Sequence, residues 1–73
     1  MEKKTFELIP RFDSRKSFYR KALVHDYGGG VYELQSYNTI VSRADNGNVT
    51  HYGKYSVTTS RHQKEFEKQF YRA

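Results

Sequence analysis

The stretch YSVTTSRHQKEF at residues 55–66 constrains the fold most, because it reads as the end of a strand that runs into a helix. Thr58, Thr59 and Ser60 are residue types that accept hydrogen bonds from the free amides of a first helical turn. Ser60 and Gln63 also have the spacing of a capping box. The sequence therefore predicts a small sheet that is closed by one C-terminal helix.

The predicted helix has one apolar face. His62, Phe66 and Phe70 recur at every fourth residue, which places them on a single stripe. We interpret His62 as a hydrogen-bonded packing residue at the corner between strand and helix, because its neighbours Thr59 and Ser60 belong to the cap. The charged residues are assigned to the other faces of the helix, namely Lys64, Glu65, Glu67, Lys68 and Arg72.

Alternating apolar residues before the helix predict a β-meander. We predict about four strands, at residues 17–26, 31–37, 39–43 and 49–57, the last interrupted at Gly53. Tyr32 and Leu34 are expected on the core face. The fold class is α+β, an antiparallel meander with the C-terminal helix packed on one face.

Glycines mark two of the turns. Gly28, Gly29 and Gly30 supply positive φ between strands, and Asn46-Gly47 is a strong signal for a hairpin turn. A phosphate-binding glycine loop would lead into a helix, whereas Val31 here begins a strand. The glycine run is therefore interpreted as a turn and not as a nucleotide site.

The domain organisation follows from the length. Seventy-three residues form one domain, near the lower limit for a single core without disulfides or metal. Residues 1–16 are predicted to be an edge strand, which Pro10 ends, and an irregular N-terminal segment. Residues 17–73 are predicted to be the single domain of meander and helix. Such a chain has little room for a deep pocket beside its core.

Charge is distributed unevenly along the chain. The formal net charge is +5, and the basic excess lies in residues 1–25 and 61–73. If the helix packs beside the first strand, these ends form a patch that attracts phosphate backbones or acidic proteins. An ordinary solvated surface is the alternative. The seven tyrosines are equally open to two interpretations, core-rim packing or the interface of a homodimer.

The residue types of this sequence argue against a catalytic or metal-binding function. Cysteine is absent, which excludes disulfides and thiol catalysis, and no apolar run reaches the roughly 18 residues of a membrane span. His25 and His51 could approach each other near strand ends, yet a metal site needs more ligands. The carboxylates are scattered. We therefore expect a cytoplasmic protein that is not an enzyme, with no cofactor, no metal and no membrane partner.

Two segments carry a resemblance to a known family. Leu34–Val41 contains a Ser-Tyr-x-Thr-x-Val strand, and Tyr55–His62 contains a Tyr-Ser-x-Thr-Thr-x-x-His helix start. Both are similar to an uncharacterised family of small phage and mobile-element proteins. The resemblance implies that origin and this fold, and it suggests an anti-defence inhibitor, such as an anti-CRISPR protein, that acts inside the host cell.

The expected function is binding to a host protein or nucleoprotein. The predicted contact residues combine cations with an aromatic ring, as at many binding hot spots, and they are Arg15, Lys16, Tyr19, Arg20, Lys21 and Arg61. The alternative is direct binding of single-stranded nucleic acid by a basic sheet face, with Tyr19, Tyr32 or Tyr52 stacked on bases. A structural or self-associating role is the third hypothesis.

Overall fold

The computed structural model describes residues 3–14 and 16–72. Its elements follow the order of strands and then helix, namely β1 (Lys4–Glu7), β2 (Ala22–Gly28), β3 (Val31–Ser36), β4 (Thr39–Asp45), β5 (Asn48–His51) and α1 (Val57–Phe70). The strands form one antiparallel sheet in sequence order. The α+β meander with a C-terminal helix is confirmed. The described chain has five strands, slightly more than expected, because β1 pairs with β2 in the same sheet.

Strand register divides the sheet into two faces. Val24 lies opposite Leu34, and Tyr32 lies opposite Ala44, on the face covered by the helix, which we call the helix face. The alternate positions, such as His25 and Glu33, lie on the other side, the open face. Tyr32 and Leu34 are therefore on the core side, as predicted.

The helix packs on β3, β4 and β5 through its aromatic stripe. Phe66 is fully buried, and its ring lies 4.8 Å from that of Phe70. Leu8 and Phe18, from the connection between β1 and β2, are also buried and complete the core. The predicted stripe is confirmed, and the N-terminal segment contributes to the same core as the rest of the chain.

Both predicted glycine turns are present. Asn46 and Gly47 have positive φ of 50° and 92°, as the hairpin requires. The amide of Arg72 donates to the carbonyl of Gly47 at 3.0 Å, so this turn also receives the end of the helix. A Cβ atom at residue 47 would lie 2.4 Å from the Cβ of Arg72. Glycine is thus required there by conformation and by space.

The helix begins earlier than predicted. Its N-cap is Ser56, whose Oγ accepts a hydrogen bond from the Thr59 amide at 3.2 Å. Thr59 instead points inward, where its hydroxyl meets Ser36 Oγ at 2.8 Å. Any of several consecutive serine and threonine residues can cap a helix. Because the Thr59 hydroxyl is buried against Ser36, the cap is formed by Ser56. Correspondingly, β5 ends at His51, and the predicted continuation of this strand to residue 57 is wrong.

The second strand also differs from the prediction. It begins at Ala22 and not at residue 17, because residues 19 and 20 form a tight turn with positive φ. Within the described part of the chain, no helix has the length and apolar character to cross a membrane.

Candidate binding surface

A strained turn ends the connection between β1 and β2. The Lys21 amide donates to the Phe18 carbonyl at 3.0 Å and closes the turn. Its central residues, Tyr19 and Arg20, have φ of 54° and 63°. This left-handed conformation costs a residue with a side chain about 1–2 kcal/mol, and such strain concentrates at functional sites. Tyr19 is nevertheless 73% exposed, so burial of its ring does not offset the cost.

Two side chains hold this turn in place. Ser17 Oγ accepts a hydrogen bond from the Tyr19 amide at 2.9 Å. Glu7 Oε2, at the end of β1, accepts from the Arg20 amide at 3.2 Å and from Ser17 Oγ at 3.3 Å. The strained turn is therefore fixed to the edge of the sheet.

The turn between β3 and β4 lies against it. Tyr37 also has positive φ, 56°, and its amide donates to the Lys21 carbonyl at 2.8 Å. Lys21 Nζ lies 5.8 Å from the centroid of the Tyr37 ring, within the range of a cation–π contact. Gln35 Nε2 donates to the Tyr37 carbonyl at 2.8 Å. The two turns thus form one bonded unit.

Buried His62 lies beneath these turns. Its ring centroid is 4.5 Å from that of Phe18 and 6.1 Å from that of Tyr37. His62 Nδ1 and Ser36 Oγ are 2.8 Å apart. The interpretation of His62 as a hydrogen-bonded packing residue at the strand-to-helix corner is confirmed.

Together these residues form a cleft of about 130 Å³, which we call the tyrosine cleft. Its lining combines the exposed rings of Tyr19 and Tyr37 with the cations Lys21 and Arg61. The other lining residues are Ser17, Phe18, Thr58 and His62.

A second groove lies on the other side of Arg61, which lines both sites. It has a volume of about 320 Å³ between the N-terminal connection and the exposed side of the helix, and Phe12, Arg61, Lys64 and Lys68 line it. Arg61 Nη1 lies 3.4 Å from Asp13 Oδ1. Arg61 therefore joins the groove to the tyrosine cleft, and its charge is partly offset by Asp13.

Glu65 fixes the N-terminal connection to the helix. It is only 2% exposed, whereas the sequence placed it on an outer face of the helix. Its carboxylate accepts hydrogen bonds from the Arg11 and Phe12 amides, each at 3.0 Å, and from Gln69 Nε2 at 2.6 Å. A buried carboxylate needs such donors. The assignment of Glu65 to the solvent was wrong because its backbone-amide partners are more than fifty residues away in sequence.

The linings of these grooves are rich in cations, namely Arg11, Lys21, Arg61, Lys64 and Lys68, and Lys16 and Arg20 are exposed in the adjoining connection. We call these seven residues the basic loop–helix surface. Among the residues described, no carboxylate forms an ion pair with Lys16, Lys21, Lys64 or Lys68. Of the nearby acids, Glu7 and Glu65 accept from backbone amides, and Asp13, in the lining of the groove, pairs with Arg61. This surface therefore keeps its positive charge facing the solvent.

The structure brings together part of the predicted contact surface. Tyr19, Lys21 and Arg61 line one cleft, and Arg20 neighbours Tyr19 in the same turn. Lys16 is exposed in the preceding connection, and Arg15 lies outside the described residues. The prediction that residues 17–21 are a strand is wrong, since the turn leaves Tyr19, Arg20 and Lys21 exposed while Phe18 is buried. Their role in binding stays a prediction.

The nucleic-acid alternative considered Tyr19, Tyr32 and Tyr52 on a basic sheet face, and two of these tyrosines lie elsewhere. Tyr19 is in the turn before β2, and Tyr32 points to the helix, where its ring lies 4.6 Å from Phe70. The open face carries Glu33 opposite Arg43 and is mixed in charge. Tyr27, at this face, donates to Glu33 Oε1 at 2.7 Å, and this hydrogen bond raises the pKa of Tyr27. Binding of nucleic acid by a sheet face stays a prediction.

One constellation resembles a hydrolase triad in its connectivity. Ser42 Oγ lies 2.6 Å from His51 Nδ1, and His51 Nε2 lies 2.7 Å from Glu67 Oε1. Nucleophilic catalysis requires a hydroxyl that a substrate can reach, but Ser42 is 0% exposed. The three residues instead connect β4, β5 and the helix.

The histidines do not gather into a metal site. His25 lies on the open face, between Thr5 Oγ1 at 2.9 Å and Gln35 Oε1 at 2.8 Å. His51 lies on the helix face, so the expectation that these two could approach each other is wrong. In residues 3–14 and 16–72 there is no group of three or more metal-ligating side chains that could hold an ion.

Sequence reasoning missed Lys64 and Lys68 as residues of the surface. They follow the predicted contact residue Arg61 at spacings of three and then four residues, so the shared helix face could have been recognised from this spacing. Tyr37 was identified only as part of a corner. No local signal indicates that it lines the same cleft as Tyr19, because the two turns are far apart in sequence.

Comparisons with known proteins place the chain in a family whose function is unknown. No curated protein and no solved structure matches this chain. A model described as a family of unknown function, DUF8033, matches residues 6–73, which include every element of the sheet and the helix apart from the first residues of β1. The chain belongs to the DUF8033 family.

Proposed function

We propose that this protein is a non-enzymatic binding domain that attaches to a host nucleoprotein through the basic loop–helix surface. The sequence resemblance to small phage and mobile-element proteins supports that setting. An anti-defence inhibitor of the anti-CRISPR type is its most specific form. The family to which the chain belongs has no assigned activity.

The observation that carries the proposal is the separation of charge. Lys64 and Lys68 extend along the exposed side of the helix, and Arg61 connects them to the turn that contains Lys21. Acids on the same side, such as Glu65, are buried against backbone amides. A surface with this excess of cations attracts polyanions and acidic proteins and raises their association rate.

The aromatic residues on this surface favour a specific partner over simple charge attraction. Phe12 is 59% exposed beside Lys68, and Tyr19 is exposed beside Lys21. Tyrosine and arginine are enriched at binding hot spots because they bring large contact areas and directed hydrogen bonds. Since Glu65 and Glu7 hold the backbone at both ends of the connection, these rings are presented at low entropic cost.

The experiment compares two charge reversals. Lys64→Glu reverses one charge on the surface, and Arg43→Glu makes the same change on the open face of the sheet. Tagged proteins are used to capture complexes from a bacterial host lysate, with and without nuclease, and circular dichroism checks that both variants fold. We expect a defined nucleoprotein to be captured by the wild type and Arg43→Glu and lost in Lys64→Glu. Equal capture by both variants would refute the proposed surface.

The inhibitor form has its own test. Phage is plated on a host with CRISPR immunity that expresses the wild type, Lys64→Glu or Arg43→Glu. We expect plaques to be restored by the wild type and by Arg43→Glu only. Immunity that stays intact in every strain would refute the inhibitor form while leaving the capture experiment unaffected.

A further inference from the structure

We infer that the tyrosine cleft receives one unpaired base of a single-stranded nucleic acid. The inference rests on the proposed function, because the strand would be the nucleic-acid component of the bound nucleoprotein. It names a ligand class and a site that neither the family nor the charge of the surface specifies.

Size restricts what the cleft can hold. Its volume of about 130 Å³ is well below the few hundred Å³ of pockets that enclose whole cofactors or drug-sized ligands. A single flat ring fits such a space, whereas an intact nucleotide does not. The sugar and phosphate of the nucleotide that carries this base must then lie at the mouth of the cleft, next to solvent.

The wall of the cleft suits a flat aromatic group. Tyr19 and Tyr37 are 73% and 46% exposed, so neither ring is enclosed by the protein, although the Lys21 ammonium lies 5.8 Å from the centroid of the Tyr37 ring. Bases stack on tyrosine in proteins that bind single strands, and the contact tolerates any sequence because every base has a π face. The cleft thus offers stacking partners from two different turns.

Charge at the mouth suits a phosphate backbone. Lys21 and Arg61 belong to the wall, and Arg20 follows Tyr19 in the turn. Arg61 shares its charge with Asp13, whereas Lys21 forms no ion pair among the residues described. No carboxylate belongs to the described lining of the cleft. A strand that leaves the cleft beside Arg61 reaches Lys64 and Lys68 along the groove.

Backbone strain is concentrated at the same place. The described non-glycine residues with positive φ are Tyr19, Arg20, Tyr37 and Asn46. Asparagine adopts this conformation readily. Of the three costly cases, Tyr19 and Tyr37 line the cleft, and Arg20 follows Tyr19 in the same turn. Asparagine or glycine would form the same turns more easily. Retention of tyrosine at a strained and exposed position is explained if the ring itself makes a contact with a ligand.

The test distinguishes the effect of losing a tyrosine ring from the effect of destabilising the fold. Tyr19→Asn and Tyr37→Asn each remove a ring but insert a residue that favours positive φ, so both variants should keep or raise the melting temperature. Tyr71→Asn removes an exposed ring at the opposite end of the helix and serves as the matched control. Binding is measured by fluorescence anisotropy with an oligothymidine, an oligouridine and a duplex of the same length.

The expected result is a loss of affinity confined to the cleft. Tyr19→Asn and Tyr37→Asn should each weaken binding of a single strand about tenfold to a hundredfold, as expected for one lost stacking contact. Tyr71→Asn should leave it unchanged, and the duplex should bind the wild type more weakly than either single strand. Lys21→Gln should also lower the slope of log affinity against log salt by about 0.7. The two oligonucleotides distinguish DNA from RNA as the source of the base.

Other outcomes overturn the inference without deciding the proposed function. Equal binding of duplex and single strand, or affinity that is unchanged in both tyrosine variants, would show that charge alone holds the nucleic acid. Capture of a nucleoprotein that persists in Tyr19→Asn and Tyr37→Asn but is lost in Lys64→Glu would likewise refute the base site while supporting the basic loop–helix surface.

Discussion

Replacing Glu65 with glutamine tests whether one buried carboxylate holds the N-terminal connection against the helix. The two side chains have nearly the same shape, so packing changes little. Glutamine, however, presents an NH₂ group that cannot accept a hydrogen bond. The substitution therefore alters the contacts with Arg11, Phe12 and Gln69 while preserving the volume of the site.

The magnitude follows from these three bonds. The least damaging orientation turns the new NH₂ group to the Phe12 amide and keeps an oxygen for Arg11 and Gln69. A hydrogen bond to a charged group contributes about 1.5–3 kcal/mol, and a neutral bond about 0.5–1.5 kcal/mol. One charged bond is lost, two become neutral, and relief from burying a charge offsets part of the loss. We expect a net destabilisation of about 2–3 kcal/mol.

Glu67→Gln is the matched control. Glu67 lies two residues further along the same helix, its side chain is 52% exposed, and its partner is His51. Glutamine keeps an oxygen that accepts from His51 Nε2, so the change in unfolding free energy should stay below about 1 kcal/mol. The contrast between the two variants isolates the effect of burial.

Urea unfolding followed by circular dichroism and tyrosine fluorescence measures both variants, since the chain contains no tryptophan. With a denaturant dependence of about 1–3 kcal/mol per molar, Glu65→Gln should lower the urea midpoint by about 0.7–3 M. Hydrogen exchange should also accelerate at the Arg11 and Phe12 amides. Equal and small shifts for Glu65→Gln and Glu67→Gln would refute the structural role assigned to the buried carboxylate.

Three further perturbations test the core, a turn and a titrating pair. Phe66→Ala should lower the unfolding free energy by about 3–5 kcal/mol because it empties the centre of the core, and a loss below 1 kcal/mol in urea would contradict that placement. Gly47→Ala should lower the unfolding free energy by at least about 1–2 kcal/mol, because residue 47 has a left-handed backbone conformation. The new methyl group would also clash with Arg72. An unchanged thermal midpoint would count against this geometry. The hydrogen bond to Glu33 raises the pKa of Tyr27. The stabilisation that this bond gives the folded protein is therefore present below the usual tyrosine pKa of about 10, and it is lost as pH rises through the raised pKa. Tyr27→Phe should remove this alkaline dependence in unfolding measured above pH 9, and an identical pH profile would exclude the pair as its source.

Local patterns were sufficient for most elements of the fold. The turn at Asn46-Gly47 was readable because few residue types adopt positive φ easily, so the sequence signal has a direct conformational cause. The stripe of Phe66 and Phe70 was readable because helical periodicity places them on one side. Boundaries were less accurate. Ser56 caps the helix in place of the predicted residues because Thr59 is buried against Ser36.

The candidate site depended on contacts between distant parts of the chain. Arg61 was predicted as a contact residue, and its place beside Lys21 required the helix to return across the N-terminal connection. Glu65 looked like a solvent-facing helix residue until its amide partners were known. Sequence periodicity gives the direction of a side chain on its own element, but not which element lies opposite.

The amino-acid sequence by itself determined a basic α+β meander with an aromatic helix stripe, because turn conformation, alternation and charge are local or additive properties. Tertiary structure alone decided that Tyr19 and Tyr37 border one cleft and that Glu7 and Glu65 accept hydrogen bonds from backbone amides. These features arise from pairings between residues far apart in sequence. Their free energy depends on burial and hydrogen-bond geometry, which exist only once the chain has folded.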